Sequence, residues 1–234
     1  MAACGQGGTG VGTRRSMSAR RSLPRLLDDH RESLRACSRC AGRGADVTPV
    51  VSEARSPRAM LIGQAPGQTE QVDGRPFAGR AGRTLFRWLE RAGIAEQDAR
   101  AQLYIAAITR CYPGPSPSGR GDRVPSPCEQ AACASWLDDE LRLVRPRLLI
   151  PVGRLAIDRF LDSAPLDQVI GRAHPVRHAG GRSLAIPLPH PSGASSWIHD
   201  GDHPALLTRA LDLLRSELAA LGIGSTDASG RSAA

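Results

Sequence analysis

The chain of 234 residues contains no lysine and no asparagine, so all 31 of its basic side chains are arginine. A bias that complete is what a genome rich in G and C imposes, and arginine abundance alone therefore says little about function. The excess of positive charge is a separate matter. A formal net charge of +8 and a sequence pI of about 10.1 suit a polyanionic partner such as nucleic acid. Some of that charge sits at Arg14, Arg15, Arg20, Arg21 and Arg25, in or beside a Gly- and Ser-rich stretch that can simply be solvated. There is no run of about 18 apolar residues, so no membrane-spanning helix is supported, and residues 1–22 lack the apolar centre of a secretory signal. A cytoplasmic protein is expected. Six cysteines in such a compartment argue against a disulfide framework and for metal ligation or free thiols.

The length fits one domain, with low-apolar ends over 1–22 and 224–234 expected to be disordered and the folded unit expected over 23–223. Within it, short apolar runs at 59–63, 103–108, 147–153 and 183–188 read as buried strands. Helical periodicity falls between or after them, over 82–93, 129–144, 154–162 and 204–221. Strands alternating with helices imply a mostly parallel sheet covered on both faces. Ligands of such sheets bind beyond the carboxyl ends of the strands.

The first strand ends there in Gly63-Gln64-Ala65-Pro66-Gly67. Pro66 stiffens the turn, and the glycines allow backbone to approach a ligand. No Gly-Lys-Ser/Thr follows, so this is not a phosphate-binding P-loop, nor is it a dinucleotide fingerprint. The loop continues through Glu70 and Asp73 to a second glycine cluster around Phe77, one of only three phenylalanines. Phe77 suits either a stacking platform for a planar base or a plug in the core. A second motif, Pro187-Leu188-Pro189-His190-Pro191-Ser192-Gly193, follows the last strand and mounts His190 rigidly at the same edge. His174, His178, His199 and His203 read as solvated loop residues. Cys37-x-x-Cys40, Cys111 and Cys133 form a set able to hold zinc or a 4Fe-4S cluster, with Cys128 a rival to Cys133 and ordinary apolar burial the simpler account.

Taken together, CSRC, LIGQAPGQTEQVDGRPFAGRAGRTL, YIAAITRCYPG, VPSPCEQAACASWL, RPRLLIPVGRLA and PLPHPSG, in that order over about 34–218, resemble the iron-sulfur uracil-DNA glycosylases, the type 4 branch of the uracil-DNA glycosylase superfamily. The resemblance implies a three-layer α/β/α sandwich around a central, mostly parallel sheet, here of four strands. It implies a monomeric enzyme that hydrolyses the N-glycosidic bond of a deaminated base in DNA, initiating base excision repair, with a 4Fe-4S cluster on Cys37, Cys40, Cys111 and Cys133. Gly63, Ala65, Pro66, Gly67 and Ala107 then line a base pocket, Phe77 stacks on the flipped base, and His190 donates towards its O2. Ser192 and Gly193 meet backbone phosphate, and Trp197 is a candidate wedge.

Two positions depart from the family pattern. Gln64 stands where the family has a glutamate held to assist water, and Ala107 stands where it has an asparagine that reads the uracil edge. Glu70 and Asp73 are candidates to replace the glutamate, and a dissociative path in which Gln64 positions water is the alternative. A segment around Ser118–Arg123 (SGRGDR) looks like an insertion that lengthens a surface loop. Rival readings are a glycosylase for another base such as hypoxanthine, a non-catalytic relative that binds damaged DNA, and an unrelated zinc-ribbon nucleotide hydrolase.

Overall fold

A computed structural model describes residues 22–40, 47–118, 121–192 and 197–224. The expected tails over 1–22 and 224–234 lie outside them except for Ser22 and Gly224. Strands β1 (Ala59–Gly63), β2 (Leu103–Ala107), β3 (Leu148–Pro151), β4 (His174–His178) and β5 (Gly181–Ala185) form one sheet in the order β2-β1-β3-β5-β4. The pairs β1 with β2, β1 with β3 and β3 with β5 are parallel. The sheet has five strands, one more than the sequence suggested, because β4 adds an antiparallel edge. Its sequence HPVRH buries only Val176, so it lacks the continuous apolar run by which the inner strands were recognised.

Helices are α1 (Leu23–Arg35), α2 (Gln68–Asp73), α3 (Arg80–Arg91), α4 (Glu96–Gln102), α5 (Pro127–Val144), α6 (Arg154–Asp158), α7 (Leu166–Val169) and α8 (His203–Ala220), with a 3-10 turn at Trp197–His199. The alternation of side chains along β1 and β2 assigns the layers. Ala59, Leu61, Leu103 and Ile105 face α3 and α8, where Leu85, Leu89, Leu211 and Leu214 complete one core. Met60, Ile62, Tyr104 and Ala106 face α1 and α5, where Leu27, Leu137 and Leu141 complete the other. The result is the three-layer α/β/α sandwich. Among the described residues no helix is long and apolar enough to cross a membrane.

A polar cluster is buried in the second layer. The Glu140 carboxylate on α5 accepts from the Tyr104 hydroxyl at 2.9 Å and pairs with the buried Arg110 guanidinium. Burial, followed by the Glu140 charge, pushes the Tyr104 phenol well above its ordinary range. Charges so deeply buried are tolerated only as pairs, and this pair fixes α5 against the segment that leaves β2.

Hydrogen bonds beyond the strands carry the ladder into the loops. Val152 N–H donates to the Ile62 carbonyl at 2.8 Å, Gly153 N–H to Leu188 at 2.9 Å, and Ile108 N–H to Gly63 at 3.0 Å. The exits of β1, β2, β3 and β5 are thereby held side by side at one edge of the sheet.

Candidate active site

At that edge lies a cavity of about 730 Å³ lined by the whole GQAPG loop, by Phe77, Ala107 and Arg110, and by His190 and Ser192. The sequence placed these motifs at a common edge, and the fold brings them to a common space.

Phe77 is set by an unusual backbone. Its φ of 51° is left-handed, a conformation that costs a non-glycine residue roughly 1–2 kcal/mol. Arg100 on α4 holds it there by donating to the carbonyls of Pro76 at 2.7 Å and Phe77 at 3.1 Å. Gly82 makes room for the same carbonyl, since a Cβ there would lie 1.9 Å from the Phe77 oxygen. The ring packs on Gly63, where a Cβ would lie 2.8 Å from Phe77 Cζ. Phe77 is half-buried, packing on the core beneath while lining the cavity.

Glu70 is buried, and both its oxygens are engaged: one accepts the Gly67 N–H at 3.0 Å, the other the Gly79 N–H at 2.8 Å. It clips the GQAPG loop to the loop carrying Phe77. Asp73 is exposed at the end of α2 and does not line the cavity. Gln64 and Ala107 both line it, and Gly63 pairs with Ala107 in the sheet register.

His190 is fixed through Nδ1. The Ser192 backbone N–H donates to it at 3.2 Å, and the Ser192 hydroxyl lies 2.9 Å away. A nitrogen that accepts from an amide carries no proton, so the neutral ring bears its hydrogen on Nε2. Burial pushes the imidazole below its ordinary pKa, which favours this neutral form. Behind the ring, Gly153 has a φ of 81°, and a Cβ there would lie 2.9 Å from His190 Cδ2.

Gly193 lies outside the described residues. Trp197 does not line the cavity. Its ring stacks on His203 at 4.1 Å and packs against the core, which argues against a freely inserting wedge. The remaining histidines are more engaged than expected. His174 and His178 belong to β4, bonding to the Val169 carbonyl at 2.9 Å and the Ser183 hydroxyl at 2.7 Å, and His203 opens α8; His199 is exposed. Burial, then the nearby Arg159, lowers the His178 pKa.

The segment expected to be a plain surface loop is the main surprise, for Gly121, Asp122 and Arg123 line the cavity. Nothing in an insertion's composition reveals which way it folds. Arg100 and Gly153 were also missed, because their effect is to place other residues' side chains.

Cys37 and Cys40 follow α1, Cys111 follows β2 and Cys133 lies in the first turns of α5, near enough for the other three to act electrostatically on Cys111. Burial first, then the charges of Cys133, Cys40 and Cys37, push the Cys111 thiol up to about 12. The Cys133 thiol is raised chiefly by burial and accepts a backbone hydrogen bond from Arg110. Trp136 Nε1–H donates to Cys37 Sγ at 3.3 Å. Cys128 is exposed. Among the described residues no three His, Cys, Asp or Glu side chains converge on a point fit for a single metal ion.

Comparison with known proteins agrees with this geometry. The family model of the uracil DNA glycosylase superfamily matches residues 50–215. A type-4 uracil-DNA glycosylase of Thermotoga maritima is 31% identical over 168 residues, covering 71% of this chain and 82% of the relative. One from Archaeoglobus fulgidus is 27% identical over 173 residues, covering 71% and 81%. A type-5 uracil-DNA glycosylase of Thermus thermophilus is 35% identical over 144 residues, covering 54% and 61%. With the sheet edge, the cavity and the motif order in agreement, the chain belongs to the uracil DNA glycosylase superfamily.

Proposed function

We propose that this protein hydrolyses the N-glycosidic bond of uracil in DNA, leaving an abasic site for base excision repair. The observation that carries this is the pairing, in one cavity, of a neutral His190 whose donor is Nε2–H with a half-buried Phe77. A flipped base enters the cavity, since its glycosidic bond is unreachable in the stack. Phe77 stacks on its face. His190 Nε2–H donates to O2, where negative charge gathers as the bond to C1′ breaks, much as an oxyanion hole does. Gln64 orients water by its amide, and Ser192 meets phosphate. Gly193 joins Ser192 in that role. Glu70 shapes the loops, because both of its oxygens already hold backbone amides.

Cys37, Cys40, Cys111 and Cys133 suit a 4Fe-4S cluster. Cys133, Cys40 and Cys37 lie near enough to Cys111 to raise its proton affinity, and thiols so gathered beside Arg110 suit a cationic inorganic core in place of protons. Such a cluster, when bound, supplies a cross-link between α1, β2 and α5 and no step of the hydrolysis. We further propose a monomer in the cytoplasm.

Ala107 favours a second reading. Ala107 lines the cavity with a methyl group where an amide would read the uracil edge, which suits a larger base such as hypoxanthine. Anaerobically purified protein should convert a labelled oligonucleotide carrying one uracil into an alkali-labile product, and His190→Ala should slow this about 10²–10³-fold. Cleavage of hypoxanthine but not uracil would favour the second reading, and cleavage of neither would leave a binding role. Iron and acid-labile sulfide in the purified protein, lost in Cys133→Ala, test the cluster.

A further inference from the structure

Gln64 leaves the cavity without the carboxylate that its position would supply, and Glu70 is fully engaged, yet one further acid reaches the space. Asp122 lines the cavity, and its Oδ2 lies 2.8 Å from the point where a Gly67 Cβ would stand. The absence of a side chain at Gly67 therefore admits this carboxylate to the end of the GQAPG loop. Gly67 has a φ of −88°, so its backbone does not demand glycine; the space does.

The mount is well made at its base. Pro115 and Asp122 form an antiparallel bridge, Ser116 N–H donates to Gly121 at 2.9 Å, and Arg123 N–H donates to Gly114 at 3.1 Å. The Arg123 guanidinium grips the Glu129 carboxylate on α5 with two bonds of 2.7 and 2.6 Å. Glu129 in turn accepts the Ser126 N–H at 2.7 Å and caps α5. Tyr112 lies beside Asp122, and burial followed by that carboxylate raises its phenol above the ordinary range. A loop held at its root by a bidentate ion pair gives a group it carries a fixed address.

We propose that Asp122 is the water-activating carboxylate of this site, a role that rests on the glycosylase reading above. Asp122 accepts a proton from a water as the water oxygen bonds to C1′. The C1′–N1 bond breaks, its electron pair passes to the base, and His190 Nε2–H stabilises the charge on O2. The proton held by Asp122 then returns to the departing base or to solvent, which balances the hydrolysis. A carboxylate brought in from another element does the work that an amide at position 64 cannot.

The test compares wild type, Asp122→Asn and Asp122→Glu as full-length protein on a single-stranded oligonucleotide with one uracil, under single-turnover conditions. Thermal melting verifies folding, and binding is read on the same oligonucleotide carrying a tetrahydrofuran abasic analogue. Asp122→Asn should lose about 10²-fold or more in rate while binding stays within about threefold. Asp122→Glu should recover part of the rate. An active wild type with an equally active Asp122→Asn overturns the inference alone. A variant that is faster because it binds better does so too, since the carboxylate would then merely repel phosphate. A wild type without action on any deaminated base overturns the glycosylase reading and this inference with it.

Discussion

The Ser192 backbone N–H donates to Nδ1 of His190, and this one bond decides which nitrogen of the ring bears the hydrogen. The hydroxyl of the same residue is a second, dispensable partner at 2.9 Å. Because the main chain sets the tautomer, Ser192→Ala should lower the excision rate less than about tenfold, whereas His190→Ala removes the donor itself and should cost about 10²–10³-fold. Burial holds the His190 pKa below its ordinary value. Protonation occurs only as pH falls below about 6.5, and it turns Nδ1 into a donor facing a donor. The histidine-dependent loss of rate should therefore appear on the acid side of that value, as a pH–rate profile would reveal.

Glu70 offers a different separation of roles. Its carboxylate satisfies the buried Gly79 amide and the half-buried Gly67 amide, and a buried amide left unsatisfied costs about 1–3 kcal/mol. Glu70→Ala should therefore lower the melting temperature together with the activity. A variant that melts like wild type yet is inactive would instead point to a direct part in the chemistry.

The sequence made the inner sheet legible because buried parallel strands announce themselves as apolar runs, as at Ala59–Gly63 and Leu103–Ala107. It brought His190 and the GQAPG loop to one edge because parallel topology leaves little choice of where such loops meet. It could not reveal β4, whose single buried Val176 makes no pattern, nor Asp122, whose loop is held by a bridge to Pro115 and by the ion pair between Arg123 and Glu129. The placement of Phe77 was equally hidden. Its left-handed backbone is a tertiary effect of Arg100 and Gly82, neither of which carries a local signal.

That placement is open to test from both sides. Gly82→Ala would set a Cβ 1.9 Å from the Phe77 oxygen, a contact with backbone that no side-chain rotation relieves. Loss of stability of about 2 kcal/mol or more is expected from such overpacking. Arg100→Met removes the guanidinium that lies over the Phe86 ring, pairs with Glu96 and donates both carbonyl bonds, so Phe77 should relax. The signature is a raised KM for the uracil oligonucleotide with a smaller effect on melting. Equal kinetics in wild type and Arg100→Met would show that the clamp is not needed for stacking.

The Arg123–Glu129 pair makes stability depend on acid in a defined window. The hydrogen-bonded Arg123 guanidinium, followed in smaller measure by the Ser126 bonds, lowers the Glu129 pKa to about 2. An unfolded glutamate titrates near 4.3. Since the folded value is the lower one, the contribution is fully present above about 4.3 and fades as pH falls towards 2, amounting to no more than about 3 kcal/mol. The Arg123 side chain is 33% exposed, so salt should weaken the effect. Chemical denaturation from pH 6 down to about pH 3 should show wild type losing stability faster than Glu129→Gln, with the two curves converging as the carboxylate protonates. Parallel curves across that window would mean that the pair contributes nothing measurable and that the root of the Asp122 loop is held by its backbone bonds alone.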